Sequence, residues 1–305
     1  GLPQVNHCPI IPNSPQSAVF GGLLFLQHGV LMTPMIPFHD GHAIPAFGFG
    51  VWQIPQDETV NLVRSALTQG YKLIDAAFIY ENEAAVGEGF RAAEVDREDV
   101  FLTSKVWNCE QGYDKTRRAI EGSLKRMGLE YLNLCLIHWP CPDFGTYVDT
   151  WRAFIDAQKD GQVRSIGTSN FAPDHLDRII GETGVNPVLN QIEVNPRMQQ
   201  IAMRAENQKR SIVTQGWTPL GNGASFDASV VLDIAKRTNL SPVQVILRWE
   251  LQLGISVIPR AETEVQLAEN LAILQAELTA EDMAAMATLE EGVRCGPAPD
   301  TYHDA

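Results

Sequence analysis

The 305-residue chain has no run of about 18 apolar residues, so nothing in it spans a bilayer as a helix. It is short of basic residues: 23 Lys and Arg stand against 37 Asp and Glu, a formal net charge of −14. So acidic a surface repels phosphate, which excludes nucleic acid and anionic membranes as partners. The cysteines Cys8, Cys109, Cys135, Cys141 and Cys295 are odd in number and irregularly spaced. No C-x-x-C and no Cys/His zinc spacing occurs, which argues against a disulfide framework or a metal and for thiols kept reduced in a cytoplasm. H-E-x-x-H and a Walker A loop are also missing. Gly48–Phe49–Gly50 and Gly221–Asn222–Gly223 both lack the third glycine of a dinucleotide-binding G-x-G-x-x-G. The first 31 residues contain no Asp, Glu, Lys or Arg, and we expect a non-native or poorly ordered leader there, before a start at Met32 or Met35.

From Met35 onward, short β-rich runs alternate with helical patterns. Asp40-Gly41, between two short apolar runs, is the signature of a hairpin. Strands are then expected at 47–52, 71–77, 99–107, 131–139, 162–170, 187–194, 211–217 and 254–260. Between the first of these come a helix from Glu58 ended by Gly70, and helices over 82–94, 113–127 and 147–159. Ser241, Pro242 and Gln244 form a capping box with proline at the first helical position, and Thr279 with Asp282 starts a last helix. Eight mostly apolar strands with helical crossovers make a parallel sheet covered on both faces. We therefore expect a (β/α)8 TIM barrel with an N-terminal β-hairpin and a short C-terminal extension, as a single domain over 32–305.

Chemistry in such a barrel sits where strands end. The strand ends carry Asp75, Lys105, His138, Ser169 with Asn170, and Gln191, the first of them spaced by about one βα unit of 30 residues. Taken singly, Asp75 reads equally as a cap, Lys105 as its ion-pair partner, His138 as a core histidine and Tyr80 as a packing aromatic. Together they suit proton donation by a phenol. Free tyrosine, with a pKa of about 10, is a reluctant acid; a lysine ammonium held against it by Asp75 favours the phenolate. His138 can orient a carbonyl oxygen beside Tyr80. With no activated Ser or Cys, the electrons for reducing that carbonyl must come from a cofactor, most economically a nicotinamide hydride.

The strings around these residues resemble the aldo-keto reductase superfamily, and in particular the bacterial 2,5-diketo-D-gluconate reductases and their relatives. "LIDAAFIYENE" (73–83), "LTSKVWN" (102–108) and "LCLIHWP" (134–140) look like its aspartate–tyrosine, lysine and histidine motifs. "SIGTSNF" (165–171) and "NQIEVNP" (190–196) resemble its nicotinamide-binding segments. The resemblance implies a catalytic tetrad of Asp75, Tyr80, Lys105 and His138, with Tyr80 as the general acid and base. It implies a carboxamide site of Ser169, Asn170 and Gln191, Trp217 in "QGWTPLG" stacked on the nicotinamide, and Glu269 and Asn270 as adenine contacts. Trp52, Trp107 and Trp139 would wall a substrate pocket. It further implies NADP(H) as cofactor, a small-molecule carbonyl as the only partner, and a cytoplasmic monomer.

One segment departs from the pattern. Where members that use NADPH carry Lys-Ser and a following Arg for the 2′-phosphate, this chain has Arg260, Ala261 and Gln266, with Glu262 and Glu264 between them. Arg260 keeps one charge that can grip a phosphate bidentately. The added carboxylates weaken the preference for NADPH and leave NAD(H) competent. The expected activity is reduction of an aldehyde or ketone, such as a small keto-sugar or dicarbonyl. Two other readings stand beside it: a cofactor-binding regulatory protein on the same barrel, and a lyase or isomerase in which Lys105 forms a Schiff base.

Overall fold

The computed structural model describes residues 32–304. The leader expected over residues 1–31 lies outside the described residues. The chain enters through the expected hairpin, with β1 (Met35–Pro37) antiparallel to β2 (Ala43–Pro45). Eight parallel strands follow: β3 (Phe49–Gly50), β4 (Leu73–Asp75), β5 (Phe101–Val106), β6 (Leu132–Ile137), β7 (Val163–Ser169), β8 (Leu189–Glu193), β9 (Val213–Trp217) and β10 (Ser256–Val257). Each pairs with its neighbours in chain order, the topology of a (β/α)8 barrel.

The helices are α1 (Gln56–Gln69), α2 (Glu83–Ala92), α3 (Tyr113–Met127), α4 (Tyr147–Lys159), α5 (Pro173–Thr183), α6 (Ile201–Lys209), α7 (Ser229–Thr238), α8 (Pro242–Gln252), α9 (Glu264–Leu271) and α10 (Ala280–Ala287). Local chemistry sets several ends. Gly70 closes α1 in the left-handed conformation. The capping boxes expected at Ser241/Gln244 and Thr279/Asp282 both form.

The barrel strands are shorter than the apolar runs that announce them. The run over 47–52 yields only Phe49–Gly50, and 254–260 only Ser256–Val257. These two make the seam. Gly48 N–H donates to Val257 O at 2.9 Å, Gly50 N–H to Pro259 O at 3.1 Å, and Phe47 bridges Val257 in parallel. A Cβ on Gly50 would stand 2.8 Å from the carbonyl oxygen of Ile258, so the seam needs a residue without one.

The pleat sorts the strand side chains. Leu73, Leu134, Leu136 and Leu189 pack inside the barrel with Ile258, and the hairpin's Phe38 and Ile44 join them from below. Ile74, Leu102, Cys135, Ile137, Ile166 and Ile192 face outward into the layer shared with Val63, Ile120, Trp151 and Phe154 of the helices. Successive side chains alternate, so Asp75, two past Leu73, must point inward, as must His138 two past Leu136 and Gln191 two past Leu189. Lys105 is in register with Leu136 and shares its face. The hairpin closes the opposite end: Ser165 Oγ donates to Asp40 at 2.8 Å, and Phe38 meets Phe101 edge-on at 6.4 Å.

One buried group runs against this packing. Glu250 on α8 is fully buried, and neither carboxylate oxygen has a hydrogen-bond partner among the described residues. Burial pushes its carboxyl well above the usual range, and Arg204 opposes this only in part. A group whose pKa is raised on folding favours the fold below its unfolded pKa and loses that contribution as pH rises through the folded one. Glu250→Gln keeps the shape and removes the proton. Its melting temperature should therefore match the wild type near about pH 5 and exceed it increasingly towards about pH 9. A difference constant with pH would show that Glu250 is as ionised in the fold as outside it.

Candidate active site

The expected strand-end residues meet in one cavity of about 1000 Å³ at the C-terminal mouth of the barrel. Its lining includes Asp75, Tyr80, His138, Ser169, Asn170, Gln191 and Trp217, and it continues to Arg260, Glu269 and Asn270. Lys105 lies beneath it, 1% exposed.

At the floor, Lys105 Nζ donates to Asp75 Oδ2 at 2.5 Å, to Ala76 O at 3.0 Å and to Tyr80 Oη at 3.1 Å. Three acceptors around one ammonium offset its loss of water. Tyr80 reaches them from a single helical turn, Phe78–Tyr80, directly after β4. That turn is anchored by Asn82, a fully buried residue whose Nδ2 donates to Val51 O at 2.9 Å and Ile54 O at 3.2 Å. The His138 ring stands edge-on to Tyr80, centroids 5.8 Å apart, and to Trp107 at 5.0 Å.

Electrostatics follow from burial. Desolvation lowers the Lys105 ammonium, but Asp75 and Tyr80 together outweigh it and the net shift is upward. Lys105 is therefore a held cation and not the neutral amine that a Schiff base requires, which removes the lyase reading. The Tyr80 hydroxyl differs from the sequence expectation. Burial raises it, and although the Lys105 charge pulls it down, the net direction is up. Tyr80 thus rests as a phenol, with the ammonium in place to meet negative charge when the proton leaves. Burial, with the Lys105 charge, holds His138 well below the usual imidazole range, so it is neutral at physiological pH. Its Nδ1 is buried without a partner among the described residues, leaving Nε2 to meet a bound oxygen.

Above the floor the polar side chains hold one another. Gln191 Nε2 donates to Asp75 Oδ1 at 2.9 Å and to Gln215 Oε1 at 2.7 Å. Ser169 Oγ donates to Gln191 O at 2.9 Å. Asn170 Nδ2 donates to His138 O and to Ser169 Oγ, both at 3.1 Å, and its Oδ1 accepts the indole N–H of Trp217 at 2.9 Å. The donors of this trio are thus engaged, while Gln191 Oε1 and the second lone pair of Asn170 Oδ1 remain. Two free acceptors suit the NH₂ of a carboxamide. With the Trp217 ring beside them and Arg260 in the same cavity, the residues present fit a nicotinamide dinucleotide.

The three expected wall residues divide. Trp107 and Trp139 are buried together, whereas Trp52 sits half-exposed at the rim. The expected C-terminal extension completes the wall: the Tyr302 ring centroid lies 4.4 Å from that of Trp139 and 6.3 Å from that of Trp107. The tail is latched by Glu193, a fully buried carboxylate at the end of β8 in register with Trp217. It accepts the backbone N–H groups of Cys295 at 2.5 Å and Gly296 at 3.1 Å. A signal for Glu193 was available, since an acid inside an otherwise buried strand run needs a partner. Tyr302 was not singled out within the C-terminal extension, because its role depends on where that segment lies.

The sequence matches the Aldo/keto reductase family over residues 46–291. An aldo-keto reductase of Mycolicibacterium smegmatis is 43% identical over 272 residues, covering 89% of this chain and 99% of that protein. Methylglyoxal reductase DkgA of Salmonella typhimurium is 42% identical over 270 residues, covering 88% and 98%. A crystal structure of a Gox0644 variant in complex with NADPH superposes with a TM-score of 0.86 at 44% identity, over 89% of this chain and 99% of that one. The chain belongs to the aldo/keto reductase family. Among the described residues no helix is long and apolar enough to cross a membrane, and no group of three or more His, Cys, Asp or Glu side chains could hold a metal ion.

The latch yields a prediction. A Cβ on Gly296 would stand 2.4 Å from the Trp217 ring, so Gly296→Ala must lift the tail or turn the indole. Overpacking of this kind costs about 1–3 kcal/mol, and we expect KM for the carbonyl substrate to rise roughly tenfold with a change in tryptophan emission. Unchanged KM and emission would mean that the tail does not seat on Trp217 in solution.

Proposed function

We propose that this chain reduces a small aldehyde or ketone, such as a dicarbonyl or keto-sugar, to the alcohol, with Tyr80 as the proton donor. The chain is an NAD(P)H-dependent aldo-keto reductase. The observation that carries the proton-donor role is the buried Asp75–Lys105–Tyr80 chain, with the neutral His138 ring beside the phenol. Methylglyoxal reductases among the relatives and the aromatic wall of Trp107, Trp139 and Tyr302 support a small carbonyl as substrate.

The residues act as follows. Gln191 and Asn170 would accept hydrogen bonds from the carboxamide of a nicotinamide cofactor, and Trp217 would wall the same site. NADP(H), when bound, supplies the hydride that reduces the carbonyl carbon. His138 donates from Nε2 to the carbonyl oxygen and fixes it beside Tyr80. Tyr80 gives that oxygen its proton as negative charge develops there, so the product leaves as a neutral alcohol. Lys105 stabilises the phenolate left behind, and Asp75 keeps the ammonium in place. The barrel supplies the rigid frame, since these groups come from β4, the turn after it, β5 and the end of β6.

Loss of NADPH absorbance with methylglyoxal tests the activity. Tyr80→Phe keeps the ring and removes the proton, so kcat should fall at least about 100-fold. NADPH binding, read by quenching of tryptophan fluorescence, should persist. Near-normal turnover in that variant would assign the proton to another group.

The pH profile gives an independent check. The rate of reduction requires Tyr80 protonated and His138 neutral. With the phenol raised and the imidazole held low, kcat/KM should stay level from about pH 6 to 9 and fall only above about pH 10. A break near about pH 6.5 would reveal an imidazole titrating at its ordinary value and overturn the neutral-donor role.

A further inference from the structure

At the end of the cavity away from Tyr80, Arg260 is the only Lys or Arg in the lining among the described residues, beside Glu262 and Glu269. Its guanidinium is already engaged on both sides. Nη1 donates to Gln53 Oε1 at 2.9 Å, across from the loop after β3, and Nη2 donates to Glu262 Oε1 at 2.8 Å. The neighbouring polar groups are turned inward as well. Gln266 Oε1 accepts the backbone N–H of Glu262 at 2.7 Å, and Thr263 Oγ1 accepts that of Gln266 at 3.1 Å as the cap of α9. The loop at this end of the cavity is therefore tied to itself and to Gln53 by these bonds.

We propose that Glu262 is a specificity-determining residue for the cofactor: it occupies Arg260 as an internal stand-in for a phosphate, so a dinucleotide with a free ribose 2′-hydroxyl is accepted alongside one with a 2′-phosphate. This rests on the reading that the adenosine end of the cofactor lies at Arg260. A 2′-phosphate must displace Glu262 from the guanidinium and then sit beside the freed carboxylate, a like-charge contact. A 2′-hydroxyl needs no displacement, because it can donate to the second oxygen of Glu262 while the Arg260 pair stays intact. The Glu262 side chain is 63% exposed and can swing into water, so its competition is graded rather than absolute.

The test uses two fragments, 2′,5′-ADP and 5′-ADP, titrated calorimetrically into the full-length wild type, Glu262→Gln, Arg260→Ala and Glu264→Gln. Glu264 starts α9 outside the cavity lining, so its variant makes the same change in charge without touching Arg260. In the wild type the fragments should bind within about tenfold of each other; a preference of about a thousandfold for 2′,5′-ADP overturns the proposal. Glu262→Gln should tighten 2′,5′-ADP roughly tenfold and leave 5′-ADP within about twofold. Glu264→Gln should leave the ratio as it is. An unchanged ratio in Glu262→Gln, or an equal shift in Glu264→Gln, overturns the role of Glu262. Arg260→Ala separates the two claims. Loss of its affinity for 2′,5′-ADP places the adenosine end at Arg260, whereas unchanged binding of both fragments removes that placement whatever Glu262 does.

Discussion

A lysine ammonium with almost no access to water is the constraint around which the mouth of this barrel is arranged. An isolated ammonium there would give up its proton or unfold the site. Lys105 does neither, because Asp75, the Ala76 carbonyl and Tyr80 surround it. Those acceptors come from β4 and the turn directly after it, and β4 is the ladder neighbour of β5, which carries Lys105. The distances are therefore set by strand pairing and not by loop flexibility. Asp75 in turn orients Gln191, Gln191 is held to Gln215, and Gln215 reaches Ser256 beside the seam. One charge thus organises a polar layer across the barrel.

The position of these groups at the ends of apolar runs made them legible in the sequence. Strand-end position after an apolar run, repeated about every 30 residues, marked Asp75, Lys105, His138 and Gln191 in the sequence; their inward direction then follows from the spacing to Leu73, Leu136 and Leu189 in the fold. The helices over 113–127 and 147–159 were equally readable, since their apolar faces and flanking glycine or charge agree. What the sequence concealed lies in segments whose shape is set by distant contacts. The strands at the seam are two residues long, with further backbone bonds crossing the seam singly, and this depends on partners about 200 residues apart and not on apolar content. Tyr302, Gln53 and Asn82 sit in loops, and each matters through a partner far along the chain. The net pKa of Tyr80 was also beyond reach, because it depends on how deeply the ring is buried against how close the ammonium comes.

The two ends of the cavity follow different rules. Near Tyr80 the polar groups are buried, mutually bonded and rigid, so their geometry tolerates little change. At Arg260 they are exposed and paired across loops, and one carboxylate more or less alters affinity without disturbing the frame. Chemistry and preference are thereby separable in this chain: the floor belongs to the strands, and the choice of partner molecule to the connections between them.

The seam carries a consequence for how the molecule comes into being. Ser256 Oγ donates to Pro45 O at 3.0 Å across 211 residues, and the parallel ladder closes beside it, where Phe47 bridges Val257. During synthesis the first strand must wait, with one edge unpaired, for a partner about 200 residues further along the chain. The hairpin below it needs nothing from that distant partner to form, since β1 pairs with β2 alone, and in the finished barrel its Phe38 and Ile44 plug the apolar interior.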